Sequence, residues 1–276
     1  IQSKGIRFVL TGSSARRLKQ SGVNLLAGRA LVYNLFPFSS SELGSDFNLA
    51  TALERGLLPD SYQSASEEEA NEYLKAYTYT YLEKEIQQEQ WVRKLEPFQR
   101  FLQIAAQQNG CILNRSAVSR DVGVDDMTIQ NYFEILEDTL MGFYLPSFHL
   151  SVRKQQREAP KFYLVDTGIQ RALSKTLDVT LQESTSTYEK AFEHFVILEI
   201  KKTIEYLRKQ WSLSYVMTRD GVEIDLIIDR AGLPNIQVEI KSSKKISASN
   251  AKALLSLGKD LDSMACSPIE WLKWVK

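Results

Sequence analysis

The stretch from Arg219 to Lys241, RDGVEIDLIIDRAGLPNIQVEIK, constrains the fold more than any other part of this 276-residue chain. Asp220-Gly221 is a tight-turn signal, and the residues after it alternate. Val222, Ile224, Leu226 and Ile228 share one face of a strand, and Glu223, Asp225, Ile227 and Asp229 share the other. Ala231-Gly232-Leu233-Pro234 turns the chain. Ile236, Val238 and Ile240 then alternate with Gln237, Glu239 and Lys241. Two neighbouring strands therefore bring Asp225, Glu239 and Lys241 onto one face of one sheet. Two carboxylates beside a lysine can hold a divalent cation and activate a water for phosphodiester hydrolysis. A hairpin with one solvated face shows the same alternation, with its charges simply facing water.

The segment Ser184 to Arg208 predicts a long helix before this sheet. Tyr188, Ala191, Phe192, Phe195, Val196, Ile197, Leu198, Ile200 and Ile204 leave it little polar arc, so the helix is expected to be buried. Glu193 and Glu199 fall within that apolar distribution. An unpaired carboxylate there would cost several kcal/mol, so each needs a cation, backbone N–H groups or a metal. A buried ion pair locking helix to sheet meets the same need. His194 points away from Glu193, because successive residues of a helix diverge. With His149 the only other histidine, zinc chemistry and Ser-His-Asp hydrolysis are poor fits.

An Asp, then a strand ending Glu-x-Lys, preceded by a helix with Glu, resembles the PD-(D/E)xK nuclease-like core. More narrowly, with YEKAFEHFVILEI in the helix, it resembles the C-terminal DUF4143 domain of prokaryotic AAA-type ATP-binding proteins. The resemblance implies a metal site of Asp225 and Glu239, helped by the Ile240 carbonyl. Lys241 would position or polarise the attacking water, and Glu193 would complete the outer shell, with Glu199 a second candidate. Mg²⁺ is the implied cofactor.

The start of the chain carries the same resemblance. FVLTGSS, LLAGRA and LFPFSSSEL resemble the second half of the ATPase core of that family. The Gly-Ser-Ser turn resembles a sensor element, with Ser13 near the γ-phosphate, and Arg29 resembles the arginine that stabilises charge on the transferring phosphate. Read from the residues alone, Ile6 to Leu10 and Ala30 to Leu35 are strands, and Thr11-Gly12-Ser13-Ser14 is a strand-to-helix turn with a serine cap. The pattern departs from the family in one large respect. No G-x-x-x-x-G-K-[ST] occurs, so no phosphate-cradling loop is expected, and ATP belongs to a longer parent chain. Because the sequence opens on Ile1 rather than Met, a fragment is expected.

Phe47 to Trp91 reads as a helical lid and connector, with Leu49, Leu53 and Leu57 on one face and an acidic, serine-capped start at Ser66. Phe98, Phe101, Leu102 and Ala105 mark an amphipathic helix ending at Gly110. A short helix from Asn114 to Val122, a turn at Gly123 and an Asp125-capped helix with Ile129, Phe133 and Leu136 inward fit a helix-turn-helix. Phe143 to Leu150 and Lys161 to Val165 are candidate wing strands. In a DNA-binding reading, Thr128, Gln130 and Asn131 meet bases, and Arg115, Arg120, Arg153 and Lys154 meet phosphates. Asp125 and Asp126 argue the other way, since acids there repel phosphate, and such modules also bind proteins. Asp166-Thr167-Gly168 is a helix-entry cap. Beyond the Glu-x-Lys strand, Lys244 and Lys245 lie in a basic loop where a nucleic-acid backbone could pass, and Ser247 to Leu257 predicts a covering helix.

Lys+Arg and Asp+Glu both number 34, which argues against attachment to nucleic acid by global charge but not against a local basic strip. Two distant cysteines fit a reducing cytoplasm. No run of eighteen apolar residues predicts a membrane span, and no secretory leader is visible.

These readings assemble into an α/β protein, α+β overall. Residues 1–45 are the end of an AAA-type ATPase core, 46–95 a helical lid, 96–165 a winged-helix-like module and 166–276 a restriction-endonuclease-like α/β domain of the DUF4143 kind. The implied function is metal-dependent phosphodiester hydrolysis on nucleic acid. The alternative is a non-catalytic, ATP-regulated module that binds DNA or a protein partner. Oligomeric state is not legible.

Overall fold

The computed structural model describes residues 9, 31–81, 92, 94–149, 158–218, 221, 223–242 and 263–266, with residues 81 and 263–266 described as backbone. They form an α+β fold of helices with a two-stranded sheet and a four-stranded sheet.

The first helices follow their caps. Ser39 and Glu42 close a reciprocal capping box around α1 (Ser40–Leu43). Asn48 caps α2 (Leu49–Arg55), Pro59 opens α3 (Pro59–Tyr62), and Ser66 caps α4 (Glu67–Ala76) with three acids in its first turn. The segment ahead of them departs from expectation. Residues 31–35 have no regular structure, and Leu35 is 90% exposed. Among the described residues no strand lies beside them, and unpaired backbone does not make a sheet. Except for Val9, which is in no strand, the expected strand at Ile6 to Leu10 lies outside the described residues.

The expected order of a short helix, a glycine turn and a capped longer helix is present. Helix α5 (Leu95–Gln107) buries Phe98, Phe101, Leu102 and Ala105. Asn114 caps α6 (Arg115–Val122), Gly123 turns in the left-handed region at φ 81°, and Asp125 caps α7 (Asp126–Asp138). Strands β1 (Gly142–Leu145) and β2 (Lys161–Leu164) then pair antiparallel. All four residues of β2 are buried, so the described part of this ribbon is internal.

Strand β2 serves two cores. Phe162 and Leu164 join Phe98, Phe101, Ile129, Phe133 and Leu136. Tyr163, on the other face, joins the second core with Leu53, Phe195, Ile197, Leu226 and Val238. The second core lies between helix α9 (Ser186–Tyr206) and the sheet of β3 (Trp211–Met217), β4 (Glu223–Arg230), β5 (Asn235–Val238) and β6 (Ser263–Cys266). Strands β3, β4 and β5 are successively antiparallel, and β6 lies parallel to β5. The continuation of β1 reaches this sheet: Tyr215 N–H donates to Pro146 O at 3.0 Å, and Phe148 N–H donates to Tyr215 O at 2.6 Å.

Buried polar clamps tie these elements together. Asp166 caps α8 (Thr167–Leu173) through Ile169 N–H, and its other oxygen accepts Leu57 N–H at 2.6 Å. That contact needs Gly56. Its φ is 75°, and a Cβ there would stand 2.0 Å from the Asp166 carboxylate. Gly56→Ala should lower stability by about 3 kcal/mol, from backbone strain plus displacement of a buried carboxylate. Urea unfolding of the two proteins measures it, and a loss below about 1 kcal/mol would remove this clamp from the account.

Candidate functional site

The site is built where α9, β4, the end of β5 and β2 meet. The β4–β5 ladder pairs Ile228 with Ile236, Ile227 with Gln237, and Leu226 with Val238, and there it ends. Next along β4, the Asp225 side chain takes over: its Oδ2 accepts Ile240 N–H at 2.6 Å. The carboxylate thus holds residues 239–241 beside β4 after the backbone pairing has stopped. The sequence reading assigned the Ile240 carbonyl a part, whereas the bonded group in the structure is its amide. Asp225 is only 9% exposed, so its face of β4 is buried at this position, although Asp229 at the far end of the same face is exposed.

Burial, then the charges of Glu193 and Glu239, raises the Asp225 pKa to about 7, against the opposing pull of Ile240 N–H and Lys241. Lys241 Nζ pairs with Glu239 Oε1 at 2.6 Å. Burial works against its charge, but the Glu239 contact and the charges of Asp225, Glu239 and Glu193 outweigh that and lift its pKa. Glu193, Asp225, Glu239 and Lys241 therefore lie within one electrostatic neighbourhood.

Three further residues complete it. Lys161 Nζ, 4% exposed, touches Glu223 Oε1 and stands 3.7 Å from Glu193 Oε1. Its ammonium also faces the Tyr215 ring at 5.3 Å. Burial pulls the Lys161 pKa down, yet Glu193, Glu223 and Asp225 together raise it above the ordinary lysine value. Tyr163 OH donates to the same Glu193 oxygen at 2.7 Å, and burial, then Glu193, pushes the phenol well above its usual range. A cleft of about 360 Å³ opens onto this side of the site, lined by Asn109, Cys111, Lys161, Lys190, Glu193 and Glu223 among others. The sequence reading passed over Lys161, Tyr163 and Glu223. Glu223 shares the Asp225 face, and Lys161 and Tyr163 sit two apart in a strand whose other face is Phe162 and Leu164. That alternation was a usable signal for the last pair.

Glu199 does not join the site. Six residues from Glu193, it lies about 120° around the helix. Its Oε1 pairs with Lys202 at 3.1 Å and its Oε2 accepts Ser40 N–H at 2.7 Å. Lys202 Nζ donates in turn to Phe38 O at 2.7 Å. This buried pair locks α9 to residues 38–40, not to the sheet. His194 is buried against Leu164 O at 2.7 Å, and burial lowers its pKa to about 4, so it stays neutral.

The five described nucleic-acid candidates divide, and Thr128 is held by the Asp125 cap, which accepts its N–H at 2.9 Å and its hydroxyl at 2.7 Å. Arg115 donates to Gln130 Oε1 at 2.6 Å and lies 3.9 Å from Asp126, so these two candidates bond each other across α6 and α7. Gln130 also donates to Glu134. Arg120 and Asn131 are exposed. Ser13, Arg29, Lys244, Lys245, Arg153 and Lys154 lie outside the described residues, as does the expected helix at Ser247 to Leu257. Among the described residues, no group of three or more His, Cys, Asp or Glu side chains converges to hold a metal, and no helix is long and apolar enough to cross a membrane.

Helix α9 from Tyr188 onward, the sheet and the site's Glu193, Asp225, Glu239 and Lys241 fall within one family match. Residues 188–268 match a domain of unknown function, DUF4143. A second domain of unknown function, DUF8612, matches residues 46–182, which takes in α2 through α8 and both strands of the ribbon. Lys161 and Tyr163 thus come from the DUF8612 match, and their partners Glu193 and Glu223 from DUF4143. Two curated proteins are similar to the chain: uncharacterized protein Rv2008c of Mycobacterium tuberculosis and uncharacterized protein Mb2031c of Mycobacterium bovis. Each is 27% identical over 252 residues, covering 91% of this chain and 56% of the relative. The chain therefore spans little more than half the length of these relatives. No solved structure matches.

The raised Asp225 pKa makes a stability prediction. Below about pH 4 the group is protonated whether folded or unfolded. Between there and about 7 the folded chain keeps a proton that the unfolded chain has released, so this group's contribution falls as pH rises, then levels off. Asp225→Asn should abolish that fall, which amounts to at most about 4 kcal/mol. Urea unfolding of both proteins across this range tests it, and parallel profiles would contradict it.

Proposed function

We propose that the chain is the nucleic-acid-acting part of a longer protein, with a metal-dependent phosphodiester-hydrolysing site centred on Asp225. The observation that carries this reading is the buried Asp225 carboxylate, bonded to Ile240 N–H and facing the charges of Glu193 and Glu239. Burying several carboxylates together is costly unless positive charge accompanies them. Glu193, Glu223, Asp225 and Glu239, when ionised, outnumber Lys161 and Lys241 by two charges, which one divalent cation neutralises.

The donor set suits Mg²⁺, a hard cation that takes one or two carboxylates and keeps several waters. Asp225 and Glu239 would hold it, and Glu193 would act from the outer shell. When bound, the ion supplies positive charge to polarise a phosphoryl oxygen and acidify a water. Lys241, paired with Glu239 and drawn towards Asp225, orients the attacking water and faces the charge that develops on the phosphate. Asp225, with its pKa near neutrality, holds or releases a proton at Oδ1 or Oδ2 according to what occupies the site.

ATP enters this reading only through a longer parent, where Ser13 and Arg29 would approach the γ-phosphate. The exposed Arg120 and the basic Lys244 and Lys245 would contact the nucleic-acid backbone, and the exposed Asn131 would meet bases. A second reading has its own observation: Lys161 and Tyr163 already satisfy one oxygen of Glu193. On that reading the cluster is a non-catalytic ion network that joins the two units, and the helix-turn-helix segment binds DNA or a protein.

Calorimetric titration with Mg²⁺ or Mn²⁺ separates the two. The first reading expects binding in the wild type, none in Asp225→Ala/Glu239→Ala with the fold intact, and affinity weakened about 10- to 100-fold in Glu193→Gln. Metal-dependent cleavage of single-stranded, duplex or branched nucleic acid should follow the same order. Wild-type protein that binds no metal at millimolar concentration would overturn it in favour of the ion network.

A further inference from the structure

We propose that Lys161 is a built-in cation, and that its ammonium fills the place a second divalent ion would take between Glu193 and Glu223. The inference rests on the metal reading of the Asp225 site and adds its stoichiometry.

The ammonium is placed as a bound cation would be. It touches Glu223, stands 3.7 Å from Glu193 and faces the electron-rich ring of Tyr215. It is 4% exposed, so it is not a surface lysine that happens to meet two acids. Nor can its backbone drift. Lys161 pairs with Leu145 across the ribbon and forms a bridge to Ile112 on its other side. Leu113 N–H and Gly110 N–H tie the flanking carbonyls of Pro160 and Phe162. Tyr163, on the same face, fixes Glu193 by its hydroxyl.

Removing the ammonium would leave Glu193 and Glu223 half-buried, facing each other across the vacated space. Oxygen ligands of this kind suit a hard divalent ion, and the cleft lined by these same two carboxylates gives such an ion a path from solvent. Two-metal hydrolases place two ions about 3.5–4 Å apart on either side of a phosphate. In this proposal a lysine carried by the residue 46–182 unit stands in for one of the two ions. The site would therefore bind a single ion, and the preceding unit would supply the charge of the other.

The test is an Mn²⁺ titration of the 276-residue chain by calorimetry, with folding followed by circular dichroism. The proposal expects one ion per chain for the wild type and for Lys161→Arg, two for Lys161→Met, and one again for Lys161→Met/Glu223→Gln. A single ion in folded Lys161→Met would overturn the proposal and leave the Asp225 metal reading standing. No ion in the wild type, but one in Lys161→Met that Glu223→Gln abolishes, would do the reverse. No ion in either protein would sink both. Should Lys161→Met fail to fold alone, recovery of its helical signal on adding Mn²⁺ supports the proposal, and no recovery overturns it.

Discussion

The bond from Ile240 N–H to the Asp225 carboxylate is the contact on which the rest of the site depends. It lies where the β4–β5 ladder has run out, and it replaces a backbone acceptor with a charged side chain. That substitution turns residues 239–241 along β4 and delivers Glu239 and Lys241 to the same place. It also commits a carboxylate to a buried position beside two others, and a buried carboxylate must find either a proton or a cation. The near-neutral pKa of Asp225 is the physical expression of that unresolved choice.

Strand β2 makes the site a joint property of two family regions. One of its faces packs Phe162 and Leu164 into the helical core around Phe133. The other points Lys161 and Tyr163 at Glu193 and Glu223. The loop from Asn109 to Leu113 is bonded along the same strand, so the start of the helix-turn-helix segment is mechanically continuous with the carboxylate cluster. Away from this seam the polar clamps are structural. Asp166 and the Glu199–Lys202 pair hold helix ends and a connecting segment, and their partners are mostly backbone groups. A buried charge whose partners are amides and carbonyls fixes an arrangement. Asp225 also bonds an amide, Ile240 N–H, but unlike those clamps it faces the charges of two other carboxylates.

Much of this was legible in the residues. Strict alternation in β4 and in residues 235–241 placed Asp225, Glu239 and Lys241 together, and the apolar wrap of α9 marked Glu193 as a carboxylate in need of a partner. Capping residues located α4, α6, α7 and α8, because side-chain caps are local and sequence carries them directly. What could not be read depends on contacts between distant segments. The apolar pattern alone does not separate Glu193 from Glu199, which the resemblance ranks second; their neighbours do, Tyr163 for one and Ser40 for the other. Lys161 and Tyr163 read as wing residues because nothing local to β2 says that its second face is covered by another unit. Strand β3, with WSLSYVM only loosely alternating, and the short β6 likewise owe their state to the strands beside them.

The central claim is that Asp225 sits between proton and cation. It is tested most directly by following the Asp225 carboxyl carbon by NMR during a pH titration of the intact chain, without and with excess Mg²⁺. The account predicts a midpoint near 7 in the absence of the ion. With Mg²⁺ the midpoint should move down into the ordinary carboxylate range, because the ion displaces the proton. A midpoint that is already ordinary without metal, or that Mg²⁺ leaves in place, would contradict it.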